Sequence, residues 1–291
     1  MYAECKICRI ARKLVLFASF CNAQPDGVHR VKAVGPNLTT AAKADGSCNT
    51  IRYVIILGRR QEEYVMASVT DVMDKLQEKA ERGRLEGMAK YGIKVEGRLG
   101  VSVPDMRELA KEMGKDHKLA LELWKAGIAE AKIVAGMVGE PDKLTEEQME
   151  DWVKDINSWD VCDQVCMNLF EKNQLAWKKI VDWSEREEEF VRRTAFSLIA
   201  CLAWHDKKAS DEKFMELLPV ITRGATDERN FVKKAVNWAL RNIGKRNLNL
   251  NQAAINAAKE IQRLDSKAAR WVASDALREL ESEAVQARLK R

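Results

Sequence analysis

No run of 18 or more apolar residues occurs in the 291-residue chain, so no helix of bilayer-crossing length is encoded. The seven cysteines, at 5, 8, 21, 48, 162, 166 and 201, lack the even count and regular spacing of a disulfide framework, which suits reduced thiols in a cytosolic protein. Cys5-x-x-Cys8 has no second pair at zinc-ligand spacing, so metal binding there is rejected. Histidine is scarce, and His117 and His205 read as surface or core residues rather than catalysts. No metal and no cofactor is therefore expected. From Met66 onward strand-like alternation is absent as well, which removes a sheet as the framework of the larger part of the chain.

What the sequence does contain is helix punctuation and a repeat. Ser102 with Pro104 opens a helix that stops at Gly114, and Thr145-Glu146-Glu147-Gln148 is a capping box. Thr226-Asp227-Glu228 opens a helix that ends near Gly244, while Asn249 and Ser266 are further N-cap candidates. Two segments echo each other, Phe190-Val191-Arg192-Arg193-Thr194-Ala195 and Phe231-Val232-Lys233-Lys234-Ala235-Val236, 41 residues apart. That spacing is the period of stacked helix pairs of the HEAT or armadillo type. A weaker third copy, without the cation pair, begins 40 residues later at Trp271-Val272. The expected fold is all-α, an α-solenoid of about ten to twelve helices joined by short loops.

Residues 1–65 read differently. Pro25-Asp26-Gly27, Gly35-Pro36 and Asp45-Gly46-Ser47 interrupt any helix, and one short strand-like run spans Tyr53 to Leu57. This segment is expected to be a poorly structured extension, with Met66 as the biological start and the repeat domain spanning residues 66–291. The apolar stretch Leu14 to Cys21 faintly resembles a secretory signal, but it is short and poorly followed by a cleavage site.

Charge is segregated along the chain. Residues 1–65 carry 10 Lys+Arg against 5 Asp+Glu, residues 66–190 carry 19 against 27, and residues 191–291 carry 20 against 12. A basic C-terminal third beside an acidic middle is the footprint of one surface offered to a polyanion. Clustering on solvated helix faces accounts for the same numbers.

Three helical segments carry candidate chemistry. From Phe231 to Lys245, Val232, Ala235, Val236, Ala239 and Ile243 share one face, while Lys234, Trp238, Arg241 and Lys245 fall on the opposite side. An indole among three cations suits a ligand that is both anionic and apolar, such as a nucleotide; packing of Trp238 under a neighbouring repeat is the competing reading. In the sister segment Val191, Ala195, Leu198, Ile199 and Leu202 face inward, and Arg193, Ser197, Ala200 and Trp204 share the other side. Small residues beside Arg193 leave room for a phosphate to reach its guanidinium, though a salt bridge to Glu187 or Glu189 explains the residue nearly as well. In Ser158-Trp159-Asp160-Val161-Cys162-Asp163, Trp159 and Asp163 lie one turn apart on one helix face. A carboxylate beside an aromatic plane stabilises an oxocarbenium-like sugar. A salt-bridged or capping Asp next to a core Trp is the structural alternative.

Together these segments resemble the DNA alkylation repair family of AlkD-type DNA glycosylases, built of HEAT-like repeats, over about residues 66–285. The resemblance implies excision of positively charged alkylated purines, such as 3-methyladenine and 7-methylguanine, from duplex DNA. It assigns Asp163 as the catalytic aspartate, Trp159 and Trp238 as the tryptophans that contact the deoxyribose, and Arg193 as the arginine near the DNA backbone. Arg192, Lys234, Arg241 and Lys245 complete the expected DNA contacts. The resemblance also implies an enzyme that acts as a monomer without cofactor, in the cytoplasm at the nucleoid. The alternative is a non-catalytic HEAT-repeat module that binds DNA structures or a protein partner.

Overall fold

The computed structural model describes residues 28–31, 38–43, 53–57 and 68–290. These fall in two units, Met1–Met66 and Ala67–Arg291. In the first, strands β1 (Val28–Val31), β2 (Leu38–Lys43) and β3 (Tyr53–Leu57) form an antiparallel sheet in that order, with Thr40 opposite Val31 on one side and Ile55 on the other. The expectation of a single strand is thereby corrected. Tyr53-Val-Ile-Ile-Leu57 announces itself by β-branched and aromatic content, whereas Val28-His-Arg-Val31 and Leu38-Thr-Thr-Ala-Ala-Lys43 become strands only through their neighbours. The Cys5-x-x-Cys8 pair, the stretch Leu14 to Cys21 and the proposed start at Met66 lie outside the described residues.

From residue 68 to residue 290 the chain is helical. The helices are α1 (Val69–Glu78), α2 (Gly83–Lys90), α3 (Val103–Met113), α4 (His117–Lys125), α5 (Ala129–Val138), α6 (Glu146–Asp155), α7 (Trp159–Asn168) and α8 (Ala176–Ser184). They continue as α9 (Glu189–His205), α10 (Asp211–Met215), α11 (Leu218–Gly224), α12 (Asn230–Gly244), α13 (Leu248–Gln262), α14 (Lys267–Leu280) and α15 (Glu283–Leu289). There are more than the expected ten to twelve, because short helices such as α10 and α11 occupy stretches with weak periodicity. No helix among the described residues is long and apolar enough to cross a membrane.

Caps fix most boundaries as the sequence suggests. Ser102 accepts from the Asp105 amide and Gly114 ends α3; Thr145 and Gln148 form a reciprocal capping box; Ser266 caps α14. Two boundaries differ. Asn247, not Asn249, caps α13 by accepting from the Leu250 amide, since Asn249 lies inside the helix and donates to Asp211 at 2.9 Å. The helix expected to open at Thr226 starts at Asn230, because Asp227 is engaged with Arg192 and Arg229 instead of a helix N-terminus.

Successive helices stack in two rows. In one row α3, α5, α7, α9, α12 and α14 each pack on the next, and in the other α8, α11 and α13 do so. The sequence echo follows the first row, because its three copies open α9, α12 and the third copy lies on α14. Phe190 and Phe231, the leading aromatics of the first two copies, meet with ring centroids 5.5 Å apart, and Lys233 lies 5.2 Å over the Trp271 ring of the third. The 41-residue period is therefore the step from one helix to its neighbour in a single row.

The expected inward faces of α9 and α12 are buried. The expected outward face of α9 is not outward: Arg193, Ser197 and Ala200 are buried too, and only Trp204 near the helix end is exposed. α9 is contacted by α7, α8 and α12 at once, so most of its circumference is covered. Close packing here depends on small residues. A Cβ at Gly224, at the end of α11, would drive into the ring of the fully buried Phe196. Helix propensity alone favours Gly224→Ala by up to about 1 kcal/mol; overpacking a rigid core costs about 1–3 kcal/mol. We expect a net loss of stability on urea unfolding, and a gain would show that the α9–α11 contact yields freely.

Candidate functional site

The site residues come from three consecutive helices of one row, α7, α9 and α12. A loop between α2 and α3 closes one side. Gly100 sits at φ +78, a conformation that favours glycine, and its amide and that of Leu99 donate to Glu130 Oε1 at 2.9 and 3.1 Å. This anchorage sets Arg98, which bonds back to the Lys94 carbonyl at 2.8 Å and forks onto both oxygens of Asp160 at 2.7 and 2.8 Å. Arg98 also donates to Ser158 Oγ at 3.0 Å, so Ser158 serves the ion pair rather than the helix cap.

Asp163, one turn further along α7, belongs to a second buried pair. Arg193 Nη2 donates to both of its oxygens, at 2.8 and 2.9 Å, and Ser197 Oγ donates to Oδ1 at 2.9 Å. Arg193 Nη1 crosses in the other direction to the Phe231 carbonyl at 2.7 Å, joining α12 to the pair. Burial pushes the Asp163 pKa above the ordinary aspartate value, while Arg193 and Ser197 pull it down and Asp160 adds to the rise. Burial opposes the charge of Arg193, but Asp163 outweighs it and the guanidinium pKa is raised. The Asp163 side chain keeps 17% exposure.

This arrangement corrects three expectations about α9. Arg193 does not present an open fork to solvent, because Asp163 and the Phe231 carbonyl occupy it; its partner is not Glu187 or Glu189; and the space beside it is filled by Ser197, which holds Asp163, and by α12 against Ala200. Cys162 is buried behind the same group, with Sγ 3.3 Å from Thr194 Oγ1 and 3.8 Å from Ser197 Oγ. It packs the rear of the Asp163 site.

Trp159 shares the α7 face with Asp163, is half-buried, and donates from Nε1 to the Tyr91 carbonyl at 3.1 Å. Trp238 is half-buried against the core. Bonds from Arg193 to the Phe231 carbonyl, Asn242 to the Ala200 carbonyl (3.0 Å) and Arg246 to the Ala203 carbonyl (2.8 Å) set the register of α9 and α12. Both indoles thus lie beside elements that hold Asp163.

The cations divide into two kinds. Lys234 is exposed. Arg192 pairs with Asp227 at 3.1 Å, Arg241 with Asp275 at 3.2 Å and with Glu279, and Lys245 with Glu279 at 2.8 Å. Of Lys234, Arg241 and Lys245, which the sequence places on one side of the helix, two are paired with carboxylates of α14. Sequence reading missed Arg98, Glu130 and Ser197. Gly92, Gly97 and Gly100 mark the Arg98 loop as a specialised turn region, but nothing in sequence links it to Asp160 across 62 positions. Among the described residues no cluster of three or more His, Cys, Asp or Glu side chains is disposed to hold a metal ion.

Similarity to known proteins agrees with this organisation. A solved member of "a new family of proteins related to the HEAT-like repeat DNA glycosylases with affinity for branched DNA structures" shares 20% identity, over 77% of this chain and 96% of its own, with a TM-score of 0.64. A designed armadillo repeat protein in complex with the peptide (KR)4 is 17% identical over 64% of this chain and 79% of its own, with a TM-score of 0.31. No curated protein matches. The first of these likenesses shows the HEAT-like solenoid fold. The sequence model of the DNA alkylation repair enzyme family matches residues 72–280, most of the helical unit, and the chain belongs to that family.

Proposed function

We propose that the chain is a monofunctional DNA glycosylase that excises positively charged N-alkylated purines, of the 3-methyladenine and 7-methylguanine type, from duplex DNA. The observation that carries this reading is Asp163: a carboxyl group oriented by Arg193 and Ser197, with its side chain 17% exposed, on a helix that also bears Trp159. A purine alkylated at nitrogen already carries positive charge and is a good leaving group, so no side chain has to protonate it. What the reaction requires is stabilisation of the sugar cation as the glycosidic bond breaks, and placement of a water. Asp163 supplies the negative charge, while Trp159 and Trp238 flank the deoxyribose and shield it from bulk solvent. Lys234 contacts the DNA backbone, and Lys245 stands further along the same helix. Arg192 and Arg241 act at the backbone only by exchanging their carboxylate partners for phosphate. The chain works as a monomer, in the cytoplasm at the nucleoid.

One observation favours a second reading. A carboxylate already paired with a guanidinium offers a weaker field to a developing cation, and the structural relative named above is described by its affinity for branched DNA. A non-catalytic DNA-binding module accounts for both. Asp163→Asn separates the readings: we expect release of methylated purine from alkylated duplex to fall by about 10²–10³-fold with DNA affinity retained. Equal release by wild type and variant would sink the glycosylase.

The pH profile gives an independent test. Since Asp163 acts as the carboxylate, the rate should fall on the acid side as it takes up a proton, with a midpoint above the ordinary aspartate value of about 3.9. Arg193→Gln removes the positive charge that opposes the effect of burial, so the pKa climbs further and the acid limb moves to higher pH. A limb that stays in place would mean that another group controls it. For binding, Lys234→Glu should lower affinity for all sequences alike and flatten the dependence on salt by about one phosphate contact.

A further inference from the structure

A cavity of about 680 Å³ opens between the C-terminal parts of α9 and α12, the start of α13 and α15. Trp238 forms one wall, but the remaining lining has no part in the chemistry of Asp163, which does not border it. The size lies within the range of about 300–1,000 Å³ typical of small-ligand sites. Trp204, Lys207, Lys245, Arg246 and Arg288 line it together with two asparagines, and no Asp or Glu is among the lining residues.

The details point to a nucleotide. Trp204 is 55% exposed, an unusual position for an indole. One face is backed by His205, whose ring stacks on it at 4.9 Å and 21° and is itself held by Glu171 at 2.8 Å, so the indole is braced at the cavity. Arg246 is fixed as part of the wall: it donates to the carbonyls of Ala203 and Ala209, and its guanidinium lies 4.2 Å over the Phe214 ring. Lys245 is paired with Glu279, whereas Lys207 and Arg288 are exposed at the cavity. An apolar plane beside the exposed Lys207 and an exposed Arg288 that gives one nitrogen to the Lys245 carbonyl at 3.1 Å, with amide groups between them, matches a base and its phosphate. Within a duplex both faces of an internal base are already stacked, so a base that uses the Trp204 face lies outside the continuous stack.

We propose that this cavity holds an unpaired nucleotide of a DNA strand leaving the duplex, its base stacked on Trp204 and its phosphates at Lys207 and Arg288. The assignment rests on the DNA-binding half of the function proposed above and not on catalysis. It makes the chain a reader of single-strand to double-strand boundaries as well as of duplex.

Fluorescence anisotropy with a labelled blunt duplex, and with the same duplex carrying a short single-stranded tail, tests this. The tailed DNA should bind about tenfold more tightly, the effect of roughly one stacked base. Trp204→Ala and, separately, Lys207→Glu should erase the preference; both residues are exposed, so neither substitution removes core packing. Equal affinity for tailed and blunt DNA overturns the cavity assignment alone, and so does a Trp204→Ala variant that keeps the preference. If a free deoxynucleoside monophosphate binds while the tail adds nothing, the cavity is a mononucleotide site and the proposal falls. No binding of either DNA at low salt overturns the DNA reading beneath it. A chain that prefers the tail but releases no alkylated purine supports this assignment and counts only against the glycosylase.

Discussion

One guanidinium ties three helices together. Arg193, on α9, holds Asp163 of α7 with one nitrogen and the Phe231 carbonyl of α12 with another. In the repeat row each helix touches mainly its two neighbours, so a buried group that bonds in both directions fixes the spacing of three repeats at once. Removing one member of such a pair leaves the other charge buried and uncompensated, which typically costs about 3–5 kcal/mol. Asp163 and Arg193 are therefore structural before they are anything else. The same pair orients the carboxylate, and Ser197 completes the orientation with the geometry of a neutral donor. Fold and candidate chemistry thus share one interaction.

Local signals in the sequence account for much of the architecture. The caps at Ser102, Thr145 and Ser266, the stop at Gly114 and the apolar faces of α9 and α12 depend on residues within a few positions of one another, and periodicity exposes them. The 41-residue echo is equally legible because the solenoid repeats its packing from helix to helix. What periodicity cannot show is which polar side chain crosses to the next helix. Arg98 and Asp160 are 62 residues apart, and Arg193 and Asp163 are 30. Their spacing on any single helix carries no trace of the partner. For the same reason a helical wheel assigns Arg193 and Ser197 to an outer face: it treats α9 as half-covered, whereas α7, α8 and α12 cover it on several sides. A resemblance nominates Trp159, Asp163 and Trp238, but it says nothing of their surroundings.

The charge asymmetry also looks different once folded. Counted along the chain, residues 191–291 carry a surplus of eight positive charges, 20 Lys+Arg against 12 Asp+Glu. In space, Arg192, Arg193, Arg241 and Lys245 each face a carboxylate, and three of those carboxylates, Asp227, Asp275 and Glu279, come from the same basic third of the sequence. These pairs consume the cations that looked most promising and leave the surplus on residues such as Lys207, Lys234 and Arg288, which are exposed. A polyanion would therefore meet point charges on flexible stems rather than a row of fixed guanidinium forks. Such contacts raise affinity and association rate without reading sequence.

The remaining tension lies at Asp163 itself. Burial drives its carboxyl toward the neutral form, and Arg193 is what opposes that drive. Without the guanidinium the group would hold its proton more tightly and offer less charge to a sugar cation; with it, part of the negative field is cancelled before substrate arrives. A bound substrate changes this balance only if it draws one carboxylate oxygen away from the pair. The geometry permits that asymmetry. Oδ1 accepts from both Arg193 and Ser197, while Oδ2 accepts from Arg193 alone at 2.9 Å, so Oδ2 retains more capacity for a new partner. Arg193, held also by the Phe231 carbonyl, need not move when Oδ2 turns to a new contact, because its bond to Oδ1 persists. A carboxylate with one oxygen anchored and one available keeps its orientation while its charge is redirected, which is how a structural ion pair can serve a reaction without being broken.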